Sequence, residues 1–165
     1  MITKNQTTFT VEPGKQELFV IREFDAPREL VFKAFTDPKI IAKWLGPKEL
    51  ICRIDKLVPG SGGYWRFIHS DKNGKEYGFH GIVHEETAPE RIIRTFEFEG
   101  LPEKGHVALE SAKFDALPGG RTKLTIHSVY QSVMDRDGMV QSGMERGTND
   151  SYDRLDEIFE EELSK

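Results

Sequence analysis

The sequence predicts a single α+β domain in which an antiparallel sheet is closed by a long C-terminal helix. Three observations lead there. From Lys48 to about Ser132, strand-forming runs alternate with turns rich in Gly and Pro. Two short stretches of helical spacing separate the first strand from this run. At the end of the chain, residues 139–163 carry an apolar stripe at intervals of three and four.

The elements follow in order. Residues 1–15 read as a polar lead-in, broken at Pro13-Gly14, and 16–165 as the domain. QELFVIREFD (16–25) is rich in strand formers and reads as the first strand. Asp25-Ala26-Pro27 is a helix start, with Leu30, Val31, Ala34 and Phe35 at helical spacing behind it. Asp37-Pro38 repeats the signal ahead of Ile40, Ile41, Trp44 and Leu45, and Gly46-Pro47 ends that helix. Six strands are expected at about 49–58, 63–71, 75–86, 91–99, 106–116 and 121–131. Asp137-Gly138 opens the last segment. Met144, Thr148, Tyr152, Leu155 and Phe159 form its inner face, and Glu145, Arg146, Asp153, Arg154, Asp156 and Glu157 its solvated face. Consecutive strands imply hairpins and a meander, not a doubly wound parallel sheet.

Composition narrows the function classes. A chain of 165 residues has room for one domain with a core. The net charge of −5, with acidic residues massed near the C-terminus, argues against nucleic acid. No apolar run approaches the length of a membrane span. The polar N-terminus has no apolar signal-peptide region, so the expected compartment is the cytoplasm. Cys52 is the only cysteine, which leaves no internal disulfide and no thiolate cluster for zinc. GSGG (60–63) has no helix behind it to present amides to phosphate.

Hairpin parity identifies the inner face. A three-residue loop at Lys72-Asn73-Gly74 sets His69 opposite Tyr77, Phe67 opposite Phe79, and Trp65 opposite Gly81. At the 116–120 turn the same logic sets Phe114 opposite Thr122, Ala112 opposite Leu124, and Glu110 opposite Ile126. A compatible register sets Phe96 opposite Ala108 and Arg94 opposite Glu110. The expected concave face is Trp65, Phe67, His69, Tyr77, Phe79, Val83, Arg94, Phe96, Glu110, Ala112, Phe114, Leu124, Ile126, Ser128 and Tyr130. Large aromatics with a few polar groups line many ligand pockets. The same aromatics also serve as plain core beneath a helix.

Five segments carry a family resemblance: FVIREFDAPRELVFKAFTDPKIIAKWLGP (19–47), PGSGGYWRF (59–67), FHGIVHEETAPERIIRTFEFEG (79–100), GGRTKLTIHS (119–128) and RDGMVQSGMERGTNDSYDRLDE (136–157). In order and spacing they resemble the activator of heat-shock-protein-90 ATPase, homologue-type family, of the START-like (SRPBCC, birch-pollen-allergen-like) superfamily. The resemblance implies a helix-grip fold, a curved antiparallel sheet around the C-terminal helix. It also implies an internal pocket for a small apolar or amphipathic molecule, with no cofactor needed. That superfamily holds carriers, receptors, cyclases and co-chaperones, so fold alone does not choose among them. A chaperone is the alternative partner the family name implies, though the additional N-terminal domain of the eukaryotic co-chaperones is not expected here.

The candidate pocket residues are Trp44, Trp65, Phe67, His69, Tyr77, Phe79, Arg94, Phe96, Glu110, Phe114, Ser128, Tyr130, Met139, Gly143, Met144 and Gly147. Arg94 and Glu110 read either as a polar anchor for a ligand headgroup or as a structural ion pair. His69, Tyr130 and Glu110 are candidates for acid–base chemistry of a cyclase or hydrolase kind, and Ser128 and Tyr130 for binding a carbonyl or hydroxyl. Each also reads as a satisfied polar group at the pocket rim. Gly143 and Gly147 either thin or kink the last helix at the pocket mouth, or allow close packing. Trp44 is either a lid or a core anchor. His80 and His84 share a strand face about 13 Å apart, too far for one metal ion.

Overall fold

The computed structural model describes residues 5–165, so residues 1–4 of the lead-in lie outside it. Its elements run β1 (Thr8–Thr10), β2 (Glu17–Phe24), α1 (Arg28–Thr36), α2 (Pro38–Trp44), β3 (Ile51–Leu57), β4 (Tyr64–Ser70), β5 (Glu76–Thr87), β6 (Arg91–Phe98), β7 (Val107–Leu117), β8 (Arg121–Val129), α3 (Val133–Gln141) and α4 (Met144–Leu163). One eight-stranded antiparallel sheet has the order β1-β2-β8-β7-β6-β5-β4-β3. Consecutive hairpins build β3 to β8, and β2 returns to pair with β8. This is the helix-grip arrangement. Within the lead-in, Thr8–Thr10 add a short edge strand along β2.

Alternation in β2 follows its sequence. Leu18, Val20, Arg22 and Phe24 are buried, and the residues between them face outward. Both helix starts form where the sequence places them. The amides of Leu30 and Val31 donate to the Pro27 carbonyl, and the Asp37 carboxylate accepts from the Lys39 amide at 2.9 Å.

The β4–β5 hairpin has the expected register, with His69 opposite Tyr77, Phe67 opposite Phe79 and Trp65 opposite Gly81. Arg94 lies opposite Glu110 and Phe96 opposite Ala108, also as expected. The β7–β8 pairing differs by two residues. Phe114 faces Leu124, Ala112 faces Ile126, and Glu110 faces Ser128. The closing pair is Leu117 and Arg121, each one residue later than the 116–120 closure expected, so the loop is Pro118-Gly119-Gly120. A shift of two preserves parity, so the same side chains point inward.

The C-terminal segment is two helices, not one. The Ser132 hydroxyl caps α3 by accepting from the Asp135 amide at 3.0 Å, and Asp137 and Gly138 lie inside that helix. The break falls at Ser142-Gly143. Gly143 has φ 90°, a left-handed conformation that glycine adopts without Cβ strain, and α4 starts beyond it.

The inner face of α4 buries Ser151, Tyr152, Leu155 and Phe159. Phe24 meets Tyr152 and Phe159 edge-on at 5.5 and 5.6 Å. The polar face is less solvated than its composition suggests. Arg22, fully buried on β2, donates to Asp153 at 3.0 Å, to Asp156 at 2.6 Å and to Thr7 at 2.9 Å. Arg154 turns back to the Gly46 carbonyl. Arg136 anchors α3 by donating to the carbonyls of Glu12 and Glu17 and to Asp137. No helix among the described residues is long and apolar enough to cross a membrane.

Candidate functional site

Two packed clusters flank an interior hollow. One gathers Phe24, Val31, Phe32, Phe114, Leu124, Tyr152, Leu155 and their neighbours beneath α1 and α4. The other gathers Ile41, Cys52, Trp65, Phe67 and Val83 on the β3–β5 side. Between them lies a cavity of about 340 Å³. It is walled by Phe35 of α1, Ile41 and Trp44 of α2, the inner face of the sheet, and the α3–α4 junction. A wider hollow of about 780 Å³ adjoins it beneath α3, sharing His69, Phe79, Phe96, Tyr130 and Met139. Volumes of this size are typical of small-molecule pockets.

Most of the residues singled out from sequence meet at the first cavity: Trp44, Trp65, Phe67, His69, Phe79, Arg94, Phe96, Glu110, Ser128, Tyr130, Met139, Gly143, Met144 and Gly147. Tyr77 lines only the adjoining hollow. Phe114 lines neither of the two. Its ring is packed edge-on by Phe32 at 5.3 Å and Phe35 at 5.4 Å, because α1 covers that part of the sheet. Trp44 is a core anchor whose ring also faces the cavity. It is buried, and its Nε1 donates to the Ala34 carbonyl at 2.9 Å.

Sequence reading missed several lining residues, among them Phe35, Ile41, Gly46, Ser151 and Tyr152. The apolar stripes of α1, α2 and α4 contain Phe35, Ile41 and Tyr152, so that signal was present. Ser151 carried none. Its hydroxyl accepts from the Gly46 amide at 2.8 Å and donates to the Gly147 carbonyl at 2.8 Å, tying the α2–β3 turn to α4.

The polar groups are distinct in kind. His69 is buried and stacks on Gly46, and its Nε2 has no hydrogen-bond partner. Burial, and then the nearby Arg154 charge, push its pKa below the ordinary histidine value and favour the neutral imidazole. Among the described residues no carboxylate is hydrogen-bonded to its Nε2, whereas a general base is ordinarily oriented by such a partner. Cys52, its cross-strand neighbour, is a neutral thiol pushed up to about 11 by burial. Burial, and then the Glu110 charge, raise the Tyr130 and Tyr152 phenols, so both stay protonated donors. Arg94 lies over the Trp65 ring, 4.4 Å from its centroid, with its Nε 3.6 Å from Glu110 Oε1. On the outer face, His80 joins Glu99 at 2.9 Å and Glu97 at 3.4 Å, beside the Arg66–Glu99 pair.

Residues 25–160 match the family model described as Activator of Hsp90 ATPase homolog 1-like protein, AHSA1. The chain belongs to this family. No curated protein matches the sequence. Among solved structures, a protein from Arthrobacter aurescens superposes with a TM-score of 0.83 at 22% identity, covering 93% of this chain and 91% of that one. A protein from Rhodobacter sphaeroides gives 0.79 at 25% identity, covering 92% and 97%. The AHSA1 protein from Silicibacter pomeroyi gives 0.71 at 19% identity, covering 88% and 99%. These likenesses establish the AHSA1 fold over nearly the whole chain.

Proposed function

We propose that this AHSA1-family protein binds a small apolar or amphipathic molecule in the interior cavity, as a carrier, sensor or sequestering protein. The observation behind this reading is the cavity of about 340 Å³ walled by aromatic side chains, with few polar groups among them. Burial of ligand surface at about 25 cal/mol per Å² supplies affinity, and the polar groups fix orientation.

The neutral fluorophore N-phenyl-1-naphthylamine tests the reading. Saturable one-to-one binding is expected, with energy transfer from Trp44 and Trp65 and a rise in melting temperature. A ligand at about 100 times its Kd adds about 2.7 kcal/mol of stability. Native mass spectrometry of the freshly purified protein then identifies any molecule carried from the cell. Neither probe binding nor thermal stabilisation would leave the reading without support.

The family description favours a second reading, a protein-interaction module acting on a chaperone. A purified Hsp90 whose ATPase rate rises on adding this protein, with the cavity blocked by Ile126→Trp, would favour that reading over the first.

A further inference from the structure

Two interior arginines are well supplied with oxygen partners, and a third is left open. Arg22 and Arg136 are both buried, and each has at least three hydrogen-bonded oxygens. Arg94 is held differently. It lies over Trp65, and its one ion-pair partner among the described residues, Glu110, stands 3.6 Å away, beyond hydrogen-bond distance. Neither side chain hydrogen-bonds to any other described residue. Their side chains retain 29% and 25% exposure, and both line the main cavity and a third, smaller hollow of about 80 Å³. The pair is therefore a set of unused donors beside a set of unused acceptors, fixed in register across β6 and β7.

The charges of the pair set its chemical preference. A lone arginine in an apolar cavity would draw a carboxylate. Here a ligand carboxylate would also meet Glu110. At about 4 Å and an effective dielectric constant near 20, that repulsion is roughly 4 kcal/mol, similar to the attraction to Arg94. A neutral group escapes the repulsion and uses both partners if it presents an acceptor next to a donor. The acceptor takes an Arg94 N–H, and the donor gives its proton to a hydrogen bond with Glu110. The aromatic walls Phe35, Trp65, Phe67, Phe79 and Phe96 favour a flat ring behind that group.

We propose that Arg94 and Glu110 act as one neutral donor–acceptor anchor, and that the cavity takes uncharged planar aromatic molecules bearing an acceptor beside a donor, such as aryl amides or hydroxyaryl ketones. This rests on the ligand-binding reading above and specifies its ligand class. The anchor also bears on specificity, because an analogue lacking the polar pair covers two partly exposed charges without serving them.

Three probes separate the terms: naphthalene, 2-naphthamide and 2-naphthoate, titrated calorimetrically at neutral pH. In the unaltered protein, 2-naphthamide binds at least about tenfold more tightly than either of the others. Glu110→Gln removes the repulsion and shifts the preference towards 2-naphthoate by at least about tenfold. Arg94→Met abolishes the advantage of the amide over naphthalene measured in the same variant. Arg94→Lys, which keeps charge and bulk but not the planar fork, reduces that advantage and serves if Arg94→Met folds poorly. Equal binding of amide and carboxylate by the unaltered protein, or an unchanged ratio in Glu110→Gln, overturns the anchor and leaves the pocket reading intact. If neither naphthalene nor N-phenyl-1-naphthylamine binds, the pocket reading falls and the anchor with it.

Discussion

Arg22 on β2 and Asp156 on α4 are joined by a 2.6 Å ion pair, with the guanidinium almost wholly out of solvent and the carboxylate side chain only 13% exposed. This contact, with the Arg22–Asp153 pair at 3.0 Å, fixes the C-terminal helix on the sheet that it caps. A buried pair adds little net stability against an apolar replacement, because both ions lose hydration. Breaking it from one side strands a charge.

Removal of one partner should therefore be costly. Asp156→Asn is expected to lower unfolding stability by about 1–3 kcal/mol, because Arg22 loses one buried charged partner but keeps its pair with Asp153 at 3.0 Å. Asp153→Asn should cost less, since that carboxylate is 47% exposed and solvent screens it. Urea denaturation measures both. A change under about 1 kcal/mol in Asp156→Asn would mean that the helix is held by its apolar face alone.

Two histidines should give opposite pH dependences. His69 has its pKa lowered by burial and Arg154, so the unfolded chain binds its proton more tightly than the fold does. Its contribution to stability is present above the ordinary value of 6.5 and is lost as pH falls below it. His106 has its pKa raised, first by its hydrogen bond to Asp135 on α3 and then by the Asp135, Glu103 and Glu97 charges. Its contribution is fully present below 6.5 and is lost as pH rises through its higher folded value. Melting temperatures of His69→Gln and His106→Asn, each subtracted from the unaltered protein, should slope in opposite directions between about pH 5 and pH 8. Parallel difference curves would contradict both assignments.

Much of the sheet was legible because its turns carry their own geometry. The loop at Lys72-Asn73-Gly74 fixes a three-residue connection, and every β4–β5 pair follows from it. The Pro118-Gly119-Gly120 turn permits more than one closing pair, so the register there was two residues out while the facing was right. Parity could not distinguish cavity wall from covered core. Phe114 points inward as expected, yet α1 lies over it. Asp153 and Asp156 sit at polar helix positions that look solvated, and only the inward alternation of β2, which aims Arg22 at them, reveals otherwise. The α3–α4 break was legible only as one of the readings of Gly143, a kink, beside thinning or close packing. Gly143 interrupts an otherwise helical run, and a glycine there is compatible with a continuous helix or a left-handed break.

Gly143 and Gly46 give the sharpest contrast between backbone and packing. Both have positive φ, 90° and 102°. An added Cβ at Gly143 meets nothing within 4 Å. At Gly46 it would lie 2.7 Å from His69 Cε1 and 3.0 Å from Nδ1, inside the contact limit. Gly143→Ala should therefore cost only the left-handed backbone penalty, about 1–2 kcal/mol, and leave the cavity unchanged. Gly46→Ala carries the same penalty and must also displace the imidazole. That ring is hemmed in by Phe79 at 5.0 Å and has little freedom to yield. The larger loss is expected at Gly46, together with a changed His69 imidazole NMR signal and weaker N-phenyl-1-naphthylamine binding. Equal losses in the two variants, with the His69 signal unmoved, would show that the ring retreats without cost and does not hold the cavity wall.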